Sequence, residues 1–357
     1  MNSFTLHKFP SIEQFRNAAR NVQWKAQFQG LDADQQPIMN RAAVLPKLKY
    51  FGTEKLHGSN CSVVIKSDRS FYCQSRERII QPGDDNYGFA QFINNLPLEV
   101  VNELYMAFDQ DNHSSYIVVI YGEWAGKGIQ NKVAISEVDK FWAIFAALVI
   151  YDENDENARE WADFSQFDKT YLESHWNNHR IFSIYQGKRW DIEIDFERPA
   201  ESLDLINNYT LEVEKESPFG LTLGVSGIGE GIVWQAAGED FGNTKFWFKV
   251  KGQEHAGSHV KTLAKVDIEK AKTIEGFVDK NVNIERLTQG FNYLKENNLY
   301  NKAAPQTCMG DFLRFIANDI LKECNDELEA SGLNKKDVGG EIAKKARIWY
   351  FQEINKI

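Results

Sequence analysis

The sequence predicts an α+β protein, a mixed β-sheet domain followed by a small helical one, and three observations carry that reading. From about residue 48 to 251 the apolar residues come in short runs rich in Val, Ile, Phe, Tyr and Trp, separated by Gly, Asp and Asn turns, which is a strand pattern. After GQEHAGSH the texture changes to longer segments with apolar residues three and four apart, which is helical spacing. At 357 residues the chain also exceeds one small core. The change of period places a boundary near residue 258, giving domains 1–258 and 259–357.

In chain order, strands are expected at CSVVIK (61–66), RSFYCQS (69–75), YIVVIYGEW (116–124), FWAIFAALVI (141–150), GIVWQ (231–235) and KFWFKVK (245–251). Helices are expected to interrupt them near 86–108 and 158–177. Beyond the boundary, VNIERLTQGFNYLKE, GDFLRFIANDILKECNDELEAS and GGEIAKKARIWYFQEI are expected to be helices. No internal repeat or low-complexity segment is visible.

Hydrophobic residues make up 43% and charged residues 26%, as in ordinary soluble globular chains. The N-terminus, MNSFTLHKFPSIEQFR, lacks the apolar core of a signal peptide, and FWAIFAALVI is too short to span a membrane. A cytoplasmic protein with no membrane partner is therefore expected. Cys61, Cys73, Cys308 and Cys324 form no CxxC pair, which disfavours a disulfide framework or a zinc knuckle. The net charge of −10 argues against nucleic acid, since phosphate-binding proteins usually carry a basic surplus, but it is unevenly spread. Residues 259–357 hold 16 Lys and Arg against 15 Asp and Glu, leaving 25 against 36 before them. The acid sits in stretches such as YDENDENARE (151–160), DIEIDFE (191–197) and LEVEKES (211–217), which read as solvated faces and loops.

TEKLHGSN (53–60) places Lys55 at the start of a short turn between strands, so its amine is held at the mouth of a sheet. An amine attacks only as the free base, and neighbouring cations favour that form. In FKVK, Lys249 and Lys251 alternate along a strand and share a face. Two positive charges on one face suit a triphosphate. Glu123 ends an apolar strand in YGEWAGKGIQ, and Glu230 opens another in GIGEGIVWQ. Each glutamate alone reads as a strand-end residue; with the lysines they make a site offering carboxylates to a ribose or a magnesium ion.

In order, EKLHGSN, SRER, YGEWAGKGIQ, FWAIF, EGIVW and KFWFKVK resemble motifs I, Ia, III, IIIa, IV and V of the covalent nucleotidyltransferases, which comprise RNA ligases, DNA ligases and capping enzymes. DNA ligases and capping enzymes favour aspartate before the motif I glycine. His57 in that position, with Asn60 after it, is similar to the RNA ligase 2 family and the RNA-editing ligases. The motifs cover residues 54–251. The helical tail also suits that family, since the other branches follow motif V with an OB-fold barrel.

The resemblance implies an ATP-grasp-like antiparallel sheet and an ATP-dependent RNA ligase that seals 3′-hydroxyl and 5′-phosphate ends, as in RNA repair, with ATP and Mg2+ or Mn2+ as cofactors. It implies that Lys55 takes AMP, that Glu54 lies against adenine through its neighbouring backbone, and that Phe145 stacks on the base. Glu123 would hold the ribose, His57 and Asn60 would shape the nucleotide pocket, and Arg76 would bind a phosphate. Glu230 would place the metal, while Lys249 and Lys251 would neutralise the α-phosphate. The C-terminal domain, with Lys335, Lys336, Lys344, Lys345 and Arg347, would engage nicked or paired RNA ends, and a monomer is expected. Ala146 follows Phe145 where the family has aspartate, which leaves Trp142 as an alternative stacking ring. Gln235 stands where motif IV often ends in lysine. A DNA or mixed-substrate nick ligase and a catalytically silent end-binding protein are the alternatives. His175 with His179, and His255 with His259, have an i, i+4 spacing that can bind metal but lack a third ligand nearby.

Overall fold

A computed structural model describes residues 4–85, 87–108, 116–165, 175–252, 274–330 and 332–356. The chain divides into two units, Met1–Gly252 and Gln253–Ile357.

The first unit begins with β1 (Glu13–Gln14) and α1 (Phe15–Gln27), followed by a separate antiparallel hairpin of β2 (Phe28–Leu31) and β3 (Pro37–Met39). Next come β4 (Lys47–Lys55), β5 (Ser59–Ile65), β6 (Phe71–Ser75), β7 (Ile79–Ile80), α2 (Phe89–Asn94) and α3 (Leu98–Met106). The chain continues through β8 (Ile117–Ala125), β9 (Phe141–Ile150), β10 (Arg159–Trp161), β11 (Ile181–Ser183) and β12 (Arg189–Asp195). It ends with α4 (Leu203–Lys215), α5 (Pro218–Thr222), β13 (Gly231–Ala236) and β14 (Phe248–Lys251).

Two larger sheets result. One has the order β1-β14-β13-β4-β12 and the other β10-β9-β8-β5-β6-β7, with β11 also on β9. Neighbours are antiparallel except for β1 beside β14 and β11 beside β9. The turn Leu56–Gly58 therefore carries the chain from one sheet to the other, and Lys55 is the last residue before it crosses.

Strands β8 and β9 are flanked on both sides and covered on both faces, which is why their sequences are nearly unbroken apolar runs. On one face Cys61, Val63, Ile120, Trp124 and Trp142 pack against Phe89, Ile93, Val101 and Leu104 of α2 and α3. On the other, Val64, Tyr72, Val119, Tyr121, Ala146 and Leu148 form a second core. The N-terminal segment lies over this face: Tyr72 donates to the Thr5 carbonyl at 2.7 Å, Tyr121 donates to the His7 carbonyl at 3.1 Å, and the Phe9 ring sits 5.1 Å from Tyr121.

The structure departs from the sequence reading in three places. The expected helix near 86–108 is two helices separated at Pro97, whose ring cannot continue a helix and pushes the preceding residue out of helical conformation. Where a helix was expected from 158, Arg159–Trp161 instead forms β10, pairing Glu160 with Val149. That strand gives the edge of β9 a partner and sets the half-buried Trp161 among aromatics, 5.8 Å from Phe9 and 5.3 Å from Trp247; residues 166–174 lie outside the described residues. DIEIDFE (191–197), read as a solvated face or loop, instead lies mostly in β12, with Ile192 and Ile194 buried, whereas LEVEKES is a solvated face as read, its residues 211–215 ending α4 with Glu212 exposed and Val213 fully buried.

The second unit contains α6 (Ile274–Asn281), α7 (Ile284–Glu296), α8 (Met309–Ala330) and α9 (Lys335–Ile354). Phe312, Ile316 and Ile320 on α8, and Val338, Ile342, Ala346 and Tyr350 on α9, recur every four residues and form the stripes that make its core. Arg286 is buried beside that core. It pairs with Asp319 at 2.6 Å and Glu323 at 2.8 Å and donates to the Asn281 carbonyl at 2.6 Å. Among the described residues, no helix is long and apolar enough to cross a membrane.

Candidate active site

The register of the first sheet brings the motif residues together. Gly231 of β13 lies opposite Lys55 on one side and Lys251 on the other, so the two lysines share a face across the glycine. Gly231 has φ +155°, and a Cβ there would fall 2.1 Å from the Val250 carbonyl oxygen, so this approach of β13 to β14 requires glycine. Glu230, immediately before it, turns its carboxylate to both cations. Lys55 Nζ is 2.6 Å from one oxygen and Lys251 Nζ 3.0 Å from the other, and His57 Nδ1 is 3.3 Å from the first. The Glu230 side chain is 1% exposed. Burial alone would raise its pKa, but Lys251, Lys55 and His57 outweigh burial and hold the carboxyl well below the usual range. Lys249 lies one row along, opposite Val233, on the same face and half-buried.

The second sheet supplies the other wall. Asn60, Glu123 and Ala143 form one row across β5, β8 and β9. Glu123 accepts a 2.9 Å hydrogen bond from the Gly58 backbone N–H. A Cβ on Gly58 would fall 2.4 Å from the Trp124 carbonyl oxygen, so only glycine lets the β4–β5 turn come this close. Burial pushes the Glu123 carboxyl up to about 7, with the nearby Lys55 charge opposing the rise. Arg76, just beyond β6, is half exposed, adds its charge to the field at Glu123, and donates to Ser11 Oγ at 2.9 Å.

Phe145 has no cross-strand partner, because the register of β8 with β9 shifts between Tyr121–Ala146 and Gly122–Ile144. It is half-buried, with its ring centroid 5.0 Å from that of Phe9 in a T-shaped arrangement. Trp142 is the poorer candidate for stacking on a base. It pairs with Trp124, is fully buried, and meets the Phe89 ring at 5.4 Å in the helix-covered core.

The Glu54 side chain points to the opposite face of β4 from Lys55, as strand alternation requires. It is 5% exposed and accepts from Ser217 Oγ at 2.6 Å and from the Phe219 N–H at 2.8 Å. Burial pushes its carboxyl up to about 7 against the pull of those two bonds. Sequence reasoning missed Ser217 as a partner. Its one signal was a serine before proline in ESPFG, a helix start in which Ser217 caps α5. The contact of Arg76 with the N-terminal segment had no comparable signal.

Among the described residues, no group of three or more His, Cys, Asp or Glu could hold a metal by itself. Glu230 can serve a divalent cation as one ligand beside nucleotide phosphates, which is how Mg2+ is commonly held in phosphoryl-transfer sites. His179 sits in a 3-10 turn and His175 is exposed, while His255 and His259 lie outside the described residues.

In chemical terms, the site presents an amine and two further lysines on one face, a buried carboxylate between cations, and a second carboxylate on the facing sheet. A family model described as RNA ligase matches residues 48–251, the span from β4 to the end of β14. Three solved structures of Naegleria gruberi RNA ligase, with ATP and Mn, with AMP and Mn, and with pyrophosphate, are each 15% identical to this chain with TM-scores of 0.39. They cover 69%, 70% and 70% of this chain, which spans 56% of the length of each. No curated protein matches.

Proposed function

The chain belongs to the RNA ligase family, and from that premise we propose that it is an ATP-dependent ligase joining a 3′-hydroxyl to a 5′-phosphate at nicks in duplex RNA through a lysyl-AMP intermediate. One observation carries this reading: Lys55 stands in register with Lys251 across Gly231, with the Glu230 carboxylate bound to both.

Lys55 Nζ attacks the α-phosphorus of ATP. The N–P bond forms as the bond to the pyrophosphate oxygen breaks, and the ammonium gives up two protons to solvent, one before the attack and one after it. Lys249 and Lys251 lie on the face where that charge builds and lower the barrier electrostatically. Phe145 stacks on adenine, and Glu123 with Asn60 binds the ribose side of the pocket. The backbone beside Glu54 lies against the base. Next, an oxygen of the RNA 5′-phosphate, held by Arg76 and His57, attacks the AMP phosphorus, the N–P bond breaks, and Lys55 regains its two protons from solvent. The 3′-hydroxyl then attacks the activated 5′-phosphate, loses its proton, and AMP leaves. When bound, Mg2+ or Mn2+ would be held by Glu230 and the phosphates and would supply charge neutralisation. The helical unit is assigned to RNA-end engagement through Lys335, Lys336 and Arg347, since Lys344 pairs with Glu341 at 3.1 Å and Lys345 with Asp279 at 2.9 Å.

The test is a comparison of wild type with Lys55→Ala on nicked duplexes bearing RNA or DNA at the 3′ side. Sealing of RNA by wild type and loss of AMP uptake in Lys55→Ala are expected; sealing by Lys55→Ala would move the nucleophile elsewhere.

A further inference from the structure

We propose that Glu54 and Ser217 are positioning residues: they anchor the start of the segment 217–230 so that Glu230, at its end, stays in place once Lys55 carries AMP. The inference rests on the lysyl-AMP reading above and concerns a side chain which that reading leaves unused.

Residues 54 and 55 grip opposite ends of this one segment from opposite faces of β4. Lys55 holds its end, through Glu230 at 2.6 Å. Glu54 holds its beginning, taking the Ser217 hydroxyl on one carboxylate oxygen and the Phe219 N–H on the other. Ser217 in turn accepts from the Gly220 N–H at 2.8 Å, and its own N–H donates to the Gly227 carbonyl at 2.7 Å, which folds the segment back on itself. The segment also lies directly on the carboxylate, since a Cβ on Gly229 would start 2.6 Å from Glu54 Oε1. Ser217 is 1% exposed, so the cluster is closed to water, and a buried carboxylate keeps its place there only while its donors are present.

The two grips differ in what the reaction does to them. Forming the N–P bond removes the ammonium charge of Lys55, and its ion pair with Glu230 goes with it. Lys251, 3.0 Å from the other oxygen, remains. The Glu54–Ser217 contact involves no reacting atom and persists through every step. Its loss should therefore matter little while Lys55 still holds Glu230, and much more afterwards.

The experiment measures the two steps separately in wild type, Ser217→Ala and Ser217→Thr, the last of which keeps the hydroxyl that Glu54 accepts from. AMP uptake is followed by intact mass, and AMP transfer from isolated lysyl-AMP protein is followed on nicked duplex RNA with a 5′-phosphate. In Ser217→Ala, uptake should change by less than about twofold and transfer should slow by about tenfold, the scale of one hydrogen bond to a charged group, and Ser217→Thr should restore transfer. A merely structural role would slow both steps alike in Ser217→Ala, and that result, or unchanged transfer, overturns the proposal. A wild-type protein that takes up no AMP overturns the lysyl-AMP reading itself, a different failure.

Discussion

Lys55 Nζ and Glu230 Oε2 lie 2.6 Å apart, and the carboxylate's other oxygen is 3.0 Å from Lys251 Nζ. The proposed nucleophile is thus held in an ion pair whose carboxylate is almost wholly buried. A triphosphate entering this face would share Lys55 and Lys251 with Glu230 as a second counter-charge.

Glu230→Gln leaves two partly buried lysines without their counter-ion. Breaking a buried pair on one side costs about 3–5 kcal/mol, and the partial exposure of both lysines lowers the expectation to about 2 kcal/mol by chemical denaturation. Because the folded-state pKa of Glu230 is depressed, its stabilisation is present above the ordinary value of 4.5 and is lost as pH falls through the lower folded value. Denaturation midpoints measured below pH 4.5 should thus fall less steeply in Glu230→Gln than in wild type; equal slopes would show that the ion pair contributes little.

For Glu123 the sign is reversed. Its folded pKa is about 7 against an ordinary 4.5, so the folded state holds a proton the unfolded chain has lost, and stability declines as pH rises between those values. Glu123→Gln should reduce that decline and make the protein at least as stable as wild type at alkaline pH, while weakening ATP binding. Glu54, also raised to about 7, contributes to the same slope, so the decline is reduced rather than removed. Thermal melts across this range with both proteins check it.

Phe145→Ala and Trp142→Ala separate stacking from packing. Phe145 is half-buried at a bulge, so its loss should leave the fold intact and weaken ATP binding by about tenfold or more, as one lost base–aromatic stack does. Trp142 is fully buried, and its truncation should cost about 3–5 kcal/mol of stability. ATP binding unaltered by Phe145→Ala would remove that ring from the base site.

Arg286→Met strands the carboxylates of Asp319 and Glu323 within the helical unit and should destabilise that unit by about 3–5 kcal/mol. AMP uptake should persist, because every residue assigned to it lies in the first unit. Loss of uptake together with that unit's unfolding would make adenylylation depend on both.

What was legible in the sequence follows from how each feature is encoded. β8 and β9 announce themselves because strands covered on both faces must be apolar throughout. The stripes of α8 and α9 are visible because a helix packed on one side repeats every three or four residues. Lys55, Lys251, Glu230 and Glu123 could be named because strand ends and glycine-bracketed turns mark where charge can gather. The sheet register that brings Lys55 and Lys251 to either side of Gly231 is a long-range pairing and could not be read locally. Other features were hidden because their pattern is short or shared. Three residues of β10 look like any polar-aromatic stretch, and the apolar face of α4 is diluted by acids that show only its solvated side. Glu54 illustrates the limit best: its position beside Lys55 was plain, but its side-chain partner, Ser217, lies more than a hundred residues away.

The most direct test of the account is intact mass after incubation with ATP and magnesium, with GTP and NAD in parallel and peptide mapping of any adduct. The account predicts the gain of one AMP, from ATP alone, on the peptide containing Lys55. Folded protein, shown not to be already adenylylated, that gains no mass with any nucleotide, or gains it on another residue, would contradict it.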